Sequence, residues 1–188
     1  MSLTAWIVIA IIVVIVLFLI VTYNRLVSLR QTVNQSWSDI TVQLKQRQDL
    51  VPNLVETVKG YAAHERGTLE AVTQARQAAV TAKGPEAQAQ AENMLTGALR
   101  QLFAVSEAYP DLKANQNFLR LQSDLSDLEN KIAASRRFFN NAVQEYNSSI
   151  QQFPAVVLAG PMGFTPRTFF DVDDSERAAV NTAPQVKF

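Results

Sequence analysis

His64 stands beside Glu65, the one pairing in the chain that looks like a fragment of a metal or hydrolytic site. A zinc protease of that type needs two histidines four residues apart on one helical face, so that both imidazoles reach the same ion. The residue four past His64 is Thr68, and the chain has no second histidine. One imidazole among scattered carboxylates lacks the ligands a transition metal requires. A nucleophile triad would have His64 as its only base, and neither a Gly-x-Ser-x-Gly elbow nor a glycine-rich phosphate loop is present. The absence of cysteine excludes disulfides, thiolate metal sites and cysteine nucleophiles. The expectation for His64 is a histidine on a helix surface.

Asp124 and Asp127, one helical turn apart, are the remaining candidates for acid–base work. Such a pair needs an apolar pocket that pushes the two pKa values apart; without one it reads as a solvated face. No catalytic, cofactor-binding or metal-ligating residue is therefore assigned, and no cofactor is expected. Lysine and arginine number 17 against 17 acidic residues, with no basic stripe, so nucleic acid is not an expected partner.

Amides are the unusual feature, with 16 glutamines and 11 asparagines. Asn115, Asn117, Asn140, Asn141 and Asn147 flank an aromatic-rich segment. They read either as helix caps and solvated surface or as a buried hydrogen-bond network that fixes helix register. Arg136 and Arg137 read as structural ion-pair partners of carboxylates such as Asp127 or Glu129.

The elements that would position these groups are helical. Leu3 to Tyr23 is apolar and uncharged, broken only by Thr4 and Thr22, and at about 1.5 Å per residue it matches a bilayer. It is too long for a signal-peptide core and has no small-residue cleavage site after it, so a retained transmembrane anchor is expected. Trp6 and Tyr23 mark its interfaces. Arg25 and Arg30 precede the first acid, Asp39, which places the bulk of the chain on the cytoplasmic side and a very short N-terminus outside.

Beyond the membrane, Leu26, Leu29, Val33, Trp37, Ile40 and Leu44 recur at a helical period up to Pro52, where a kink or a new helix is expected. This stripe, with Trp37 in it, is the expected surface of self-association. Leu54, Val58, Tyr61, Leu69 and Val72 continue towards Lys83, and Gly84-Pro85 is a turn. An alanine-rich helix follows, with Ala87, Ala91, Met94, Ala98, Leu102 and Val105 on one face. The last helix carries a heptad-like seam from Phe118 through Leu121, Leu125, Leu128, Ile132, Ser135 and Phe139 to Phe153. After Pro154 the composition changes. Val156–Leu158 and Phe169-Phe170 are expected to dock as short extended segments, since a disordered tail would not carry Phe164, Phe169, Phe170 and Phe188.

The fold class is all-α: a single transmembrane helix continuing into an antiparallel bundle of long helices, with an irregular, aromatic-containing tail. The boundaries are an anchor at 1–23, a cytoplasmic bundle at 24–154 and a tail at 155–188.

The chain resembles the LemA family. The likeness is carried by Tyr23-Asn24-Arg25-Leu26-Val27, Trp37-Ser38-Asp39-Ile40 and Asp49-Leu50-Val51-Pro52-Asn53-Leu54. It continues through Val58-Lys59-Gly60-Tyr61, Tyr109-Pro110-Asp111-Leu112-Lys113, Arg136-Arg137-Phe138-Phe139-Asn140 and Gly163-Phe164. The resemblance implies a bacterial inner-membrane protein with one N-terminal helix and a cytoplasmic helical domain, and it brings no catalytic residues with it. Gln48 stands where relatives often carry histidine, a departure that further weakens a metal site.

Three functions compete. The first is a non-catalytic scaffold acting through self-assembly (a homo-oligomer) and contacts with membrane or cytoplasmic proteins. The second is a membrane-remodelling or lipid-organising protein, with residues 24–44 lying along the bilayer surface. The third and weakest is a cryptic enzyme or metal-dependent regulator centred on His64.

Overall fold

The computed structural model describes residues 2–170. It is built from helices, with no strand among those residues. They are α1 (Leu3–Lys59), α2 (Arg66–Thr81), α3 (Pro85–Ser106), α4 (Pro110–Lys113), α5 (Gln116–Gln151) and α6 (Ala155–Ala159). The chain falls into two compact units, and α1 and α5 each continue through both.

One unit comprises Met1–Trp37 and Phe138–Arg167. Its α1 portion begins with an apolar stretch long enough to cross a membrane once, and none of that stretch is buried against protein. Past Tyr23 the stripe turns inward, with Leu26 and Val33 buried. Trp37 packs on Phe139 of α5, ring centroids 5.4 Å apart. Val143, Tyr146 and Ile150 continue the buried seam along α5. Leu26 and Val33 of the expected self-association stripe are thus buried within the chain, while Leu29 and Trp37 stay half-buried.

After α5 the chain does not extend as expected. Val156–Leu158 form α6, whose end is a Schellman turn: Phe164 N–H donates to the Ala159 carbonyl (2.9 Å) and Gly163 N–H to that of Gly160 (3.0 Å). Gly163 has φ of 74°, the left-handed conformation this motif requires. Phe164 is then delivered edge-on to Tyr23 at 5.7 Å, with the Arg30 guanidinium 5.1 Å from its ring centroid. Phe153, the last seam position read from the sequence, lies beyond the end of α5 and is 84% exposed.

The other unit comprises, among the described residues, Ser38–Arg137 and residues 168–170. Val51, Leu54 and Val58 of α1 pack with Leu69 and Val72 of α2, Leu95, Leu99 and Leu102 of α3, Leu112 of α4, and Phe118 and Leu125 of α5. The stripe read as one run from Leu54 to Val72 is two helices, parted at residues 60–65. On α3 Ala91, Ala98 and Leu102 are buried as expected, and Leu95 and Leu99 join them; Met94 and Ala87 are exposed instead. Phe170 is buried in this unit; Phe188 lies outside the described residues.

Pro52 does not end α1, which runs on to Lys59. A proline inside a helix deprives the carbonyl four residues earlier of its donor, here that of Gln48. Arg76 of α2 supplies the replacement: its Nε donates to the Gln48 carbonyl at 2.7 Å. The defect in α1 has become a docking point for α2. Arg76→Met should therefore cost about 1.5–3 kcal/mol in urea unfolding, the worth of a hydrogen bond to a charged group. In a Pro52→Ala background, where the helix satisfies its own carbonyl, the same change should cost much less. Equal costs in the two backgrounds would sever the link between Pro52 and Arg76.

Candidate functional site

The chemistry-bearing residues converge inside the second unit, around a side chain that breaks the apolar rule. Ile40, Leu44, Val51 and Leu54 line the buried face of α1, and the position between Leu44 and Val51 in that period is Arg47. Its side chain is only 2% exposed. One guanidinium nitrogen donates to the carboxylate and, at 3.2 Å, to the backbone carbonyl of Glu92 on α3. The other donates to Thr96 Oγ1 at 3.0 Å and to the carboxylate of Glu129 on α5.

Glu92 is equally enclosed. Besides Arg47, its Oε1 accepts from Gln48 Nε2 at 2.6 Å and from Gln88 Nε2 at 2.9 Å. Gln88 also donates to the Ala79 carbonyl of α2 at 2.9 Å, so all the long helices of this unit meet here. The buried amides of this unit are the glutamines Gln48 and Gln88, gathered around an ion pair, and not the asparagines singled out from the sequence. Glu129, at 50% exposure, is the cluster's outlet to solvent.

What this arrangement can do chemically is narrow. A guanidinium does not release its proton, so Arg47 is no acid or base. Glu92 has its oxygens occupied by three donors and is shut away from substrate. A buried, paired charge of this kind fixes register far better than it performs chemistry. The cluster reaches the surface in a groove of about 650 Å³, lined by Leu99, Phe103, Leu119, Arg100 and Asp127 alongside Arg47 and Glu129. Leu119 is 47% exposed on its wall.

The residues singled out from the sequence do not gather. His64 is exposed in the turn between α1 and α2, not on a helix surface. Its neighbour Glu65 accepts a hydrogen bond from the Tyr109 hydroxyl at 3.1 Å. That bond to the carboxylate, aided by burial and by the negative charge, raises the Tyr109 phenol above its ordinary value of 10.0. Among the described residues no cluster of three or more metal-ligating side chains occurs.

Asp124 pairs only with exposed Arg120, at 4.0 Å, as a solvated face would. Glu129 is held by Arg47, which takes the place expected of Arg136 or Arg137. Asn115 caps α5, its Oδ1 accepting from Phe118 N–H at 3.0 Å, while its Nδ2 donates to the Tyr61 hydroxyl at 2.9 Å. Asn117 and Asn141 are exposed. Asn147 clips the returning tail in both directions: it donates to the Arg167 carbonyl (2.9 Å) and accepts from its N–H (2.8 Å). The signal for the Arg47 cluster was present in the sequence, as a charged residue at a core position of an otherwise apolar stripe.

Arg47→Met should destabilise the chain by about 3–5 kcal/mol, because it strands a buried carboxylate. Arg47→Met with Glu92→Met should recover most of that loss, as burying apolar groups in place of a pair is near neutral. Urea titration followed by circular dichroism reads both, and a double variant no better than Arg47→Met would contradict the pairing. His64→Ala, at an exposed turn, should shift stability by no more than about 0.5 kcal/mol and leave cellular function intact. Loss of function in a protein that still folds would bring catalysis back.

Residues 36–188 match the sequence model of the LemA family. The chain is similar to the magnetosome protein MamQ of Magnetospirillum gryphiswaldense, at 26% identity over 178 residues covering 81% of this chain and 65% of that protein. Against the magnetosome protein MamQ 2 of Paramagnetospirillum magneticum the identity and coverage are the same, 26%, 81% and 65%. Against protein LemA of Metamycoplasma hominis the identity is 27% over 164 residues, covering 85% of this chain and 74% of the relative. The chain thus spans about 65% of the length of the MamQ relatives. With the family match beginning at Ser36, inside α1, and extending over most of the chain, the protein belongs to the LemA family.

Proposed function

We propose that this LemA-family membrane protein is a non-catalytic scaffold, anchored by α1 in a bacterial inner membrane with its helical domain in the cytoplasm, and acting through self-assembly and protein contacts. The observation that carries the reading is the groove beside Arg47 and Glu129. The buried cluster ties its walls, α3 and α5, to α1, and its lining joins apolar Leu99, Phe103 and Leu119 to charged Arg100 and Asp127. An apolar strip edged by charges of both signs suits a helix or a second copy of the chain, since the charges select an orientation while the apolar area supplies binding energy. The relatives' names, LemA and magnetosome protein, designate a family and a structure rather than a reaction. The cytoplasmic placement rests on Arg25 and Arg30 flanking the anchor.

In nanodiscs the wild-type chain should run at a multiple of its 20.9 kDa mass. Leu119→Asp should bring it to the monomer mass without lowering its melting temperature. A wild-type monomer at every concentration would defeat self-assembly. A phosphatase fused to the C-terminus, active only when exported, should stay silent; strong activity would reverse the orientation.

A further inference from the structure

We propose that the corner joining α5 to α6 is a second membrane contact, an apolar knob that enters the headgroup–acyl boundary of the bilayer that α1 spans. Four of its side chains point away from protein: Phe153 (84% exposed), Val156, Val157 (63%) and Met162. α6 is two-faced on a small scale. Ala155 and Ala159, one turn apart, are buried and seat it against its unit, while Val156 and Val157 are turned outward.

The level of this corner follows from contacts within the same unit. Trp37 meets Phe139, and from there α5 runs to Gln151, about 18 Å at roughly 1.5 Å per residue. From Trp37 back to Tyr23 α1 covers about 21 Å by the same rise. Phe164 then closes on Tyr23 itself. The segment between Gln151 and Phe164 is thus fixed at both ends to the place where α1 leaves the membrane.

The chemistry of the corner suits lipid. No acidic residue lies between Glu145 and Asp171, so nothing negative has to be dehydrated or pressed against anionic headgroups. Arg25 and Arg167 are exposed in this unit and Arg30 lies over Phe164, placing cations where phosphates would be. Apolar side chains inserted beside basic ones are the pattern of interfacial anchoring. Continuity with the apolar anchor selects the bilayer as occupant over a second copy or another protein.

This inference rests on the membrane-spanning reading of α1, and the test keeps the two apart. The chain has no cysteine, so single substitutions can carry an environment-sensitive fluorophore in the full-length protein. Phe153→Cys and Val157→Cys are the probes, Val14→Cys reports the anchor, and exposed Val42→Cys serves as the aqueous control. All are reconstituted in phosphatidylethanolamine–phosphatidylglycerol vesicles.

Labels at 153 and 157 should be quenched several-fold more by acyl-chain nitroxides than the label at 42, and several-fold less by iodide. Iodide quenching equal to that at 42, with the label at 14 still quenched by lipid nitroxide, would overturn the corner contact and leave the anchor standing. Lack of lipid quenching at 14 as well would overturn both. Protection at 153 and 157 that needs no lipid contact and grows with the protein-to-lipid ratio would assign the corner to a second copy, against the proposal. Val157→Cys and Phe153→Cys replace side chains that touch little protein, and circular dichroism of each confirms the fold before quenching is read.

Discussion

Burying the charge of Arg47 is the constraint on which the second unit depends. A guanidinium taken out of water costs several kcal/mol unless carboxylates and further acceptors receive it. Those acceptors come from Glu92 and Thr96 on α3 and from Glu129 on α5, and Glu92 in turn draws in Gln48 and Gln88. Apolar ridges can slide by a turn and still bury area; a set of paired charges and directed hydrogen bonds is far less tolerant of such a shift. The same turn of α1 holds the Gln48 carbonyl that Pro52 leaves open and Arg76 occupies. Two polar obligations, a buried cation and an orphaned carbonyl, fall on adjacent residues of one helix. Together they tie α2, α3 and α5 to it.

How much of this was legible depends on the distance over which each cause acts. The anchor and the α5 seam are local periodic patterns, and Phe118, Leu125, Leu128, Ile132 and Phe139 are buried as their spacing requires. No new helix starts at Pro52, and the group that receives the freed carbonyl lies far off in sequence: Arg76 is 28 residues beyond Gln48. Arg47 finds its carboxylates 45 and 82 residues away, so a reading that scores only apolar periodicity passes over it as surface. On α3 the expected Ala91, Ala98 and Leu102 are buried, but so are Gln88 and Glu92, which a count of apolar positions alone leaves out. For Val156–Leu158 the expectation was an extended segment, and the structure has the helix α6, closed at Gly163 by the left-handed turn that precedes Phe164.

The first unit is organised by a different device, side chains that grip backbone. Tyr146 donates to the Thr165 carbonyl at 3.0 Å, and Asn147 exchanges two hydrogen bonds with Arg167. Successive residues of α5 therefore hold the strap that follows α6, in place of the sheet neighbour an extended segment would otherwise need. Sequence alone marks Asn147 only as one amide among many. What distinguishes it is the strap it receives, and that is placed by the left-handed turn at Gly163.

The same unit packs the residues that follow the apolar stretch of α1. Here α1 passes through the exit without interruption, and Phe164 is wedged between the Tyr23 ring and the Arg30 guanidinium. Tyr23 and Arg30 lie two turns apart on the helix, and one aromatic ring meets both. Phe164 follows directly on Gly163, so the left-handed turn that ends α6 also sets where this ring meets α1.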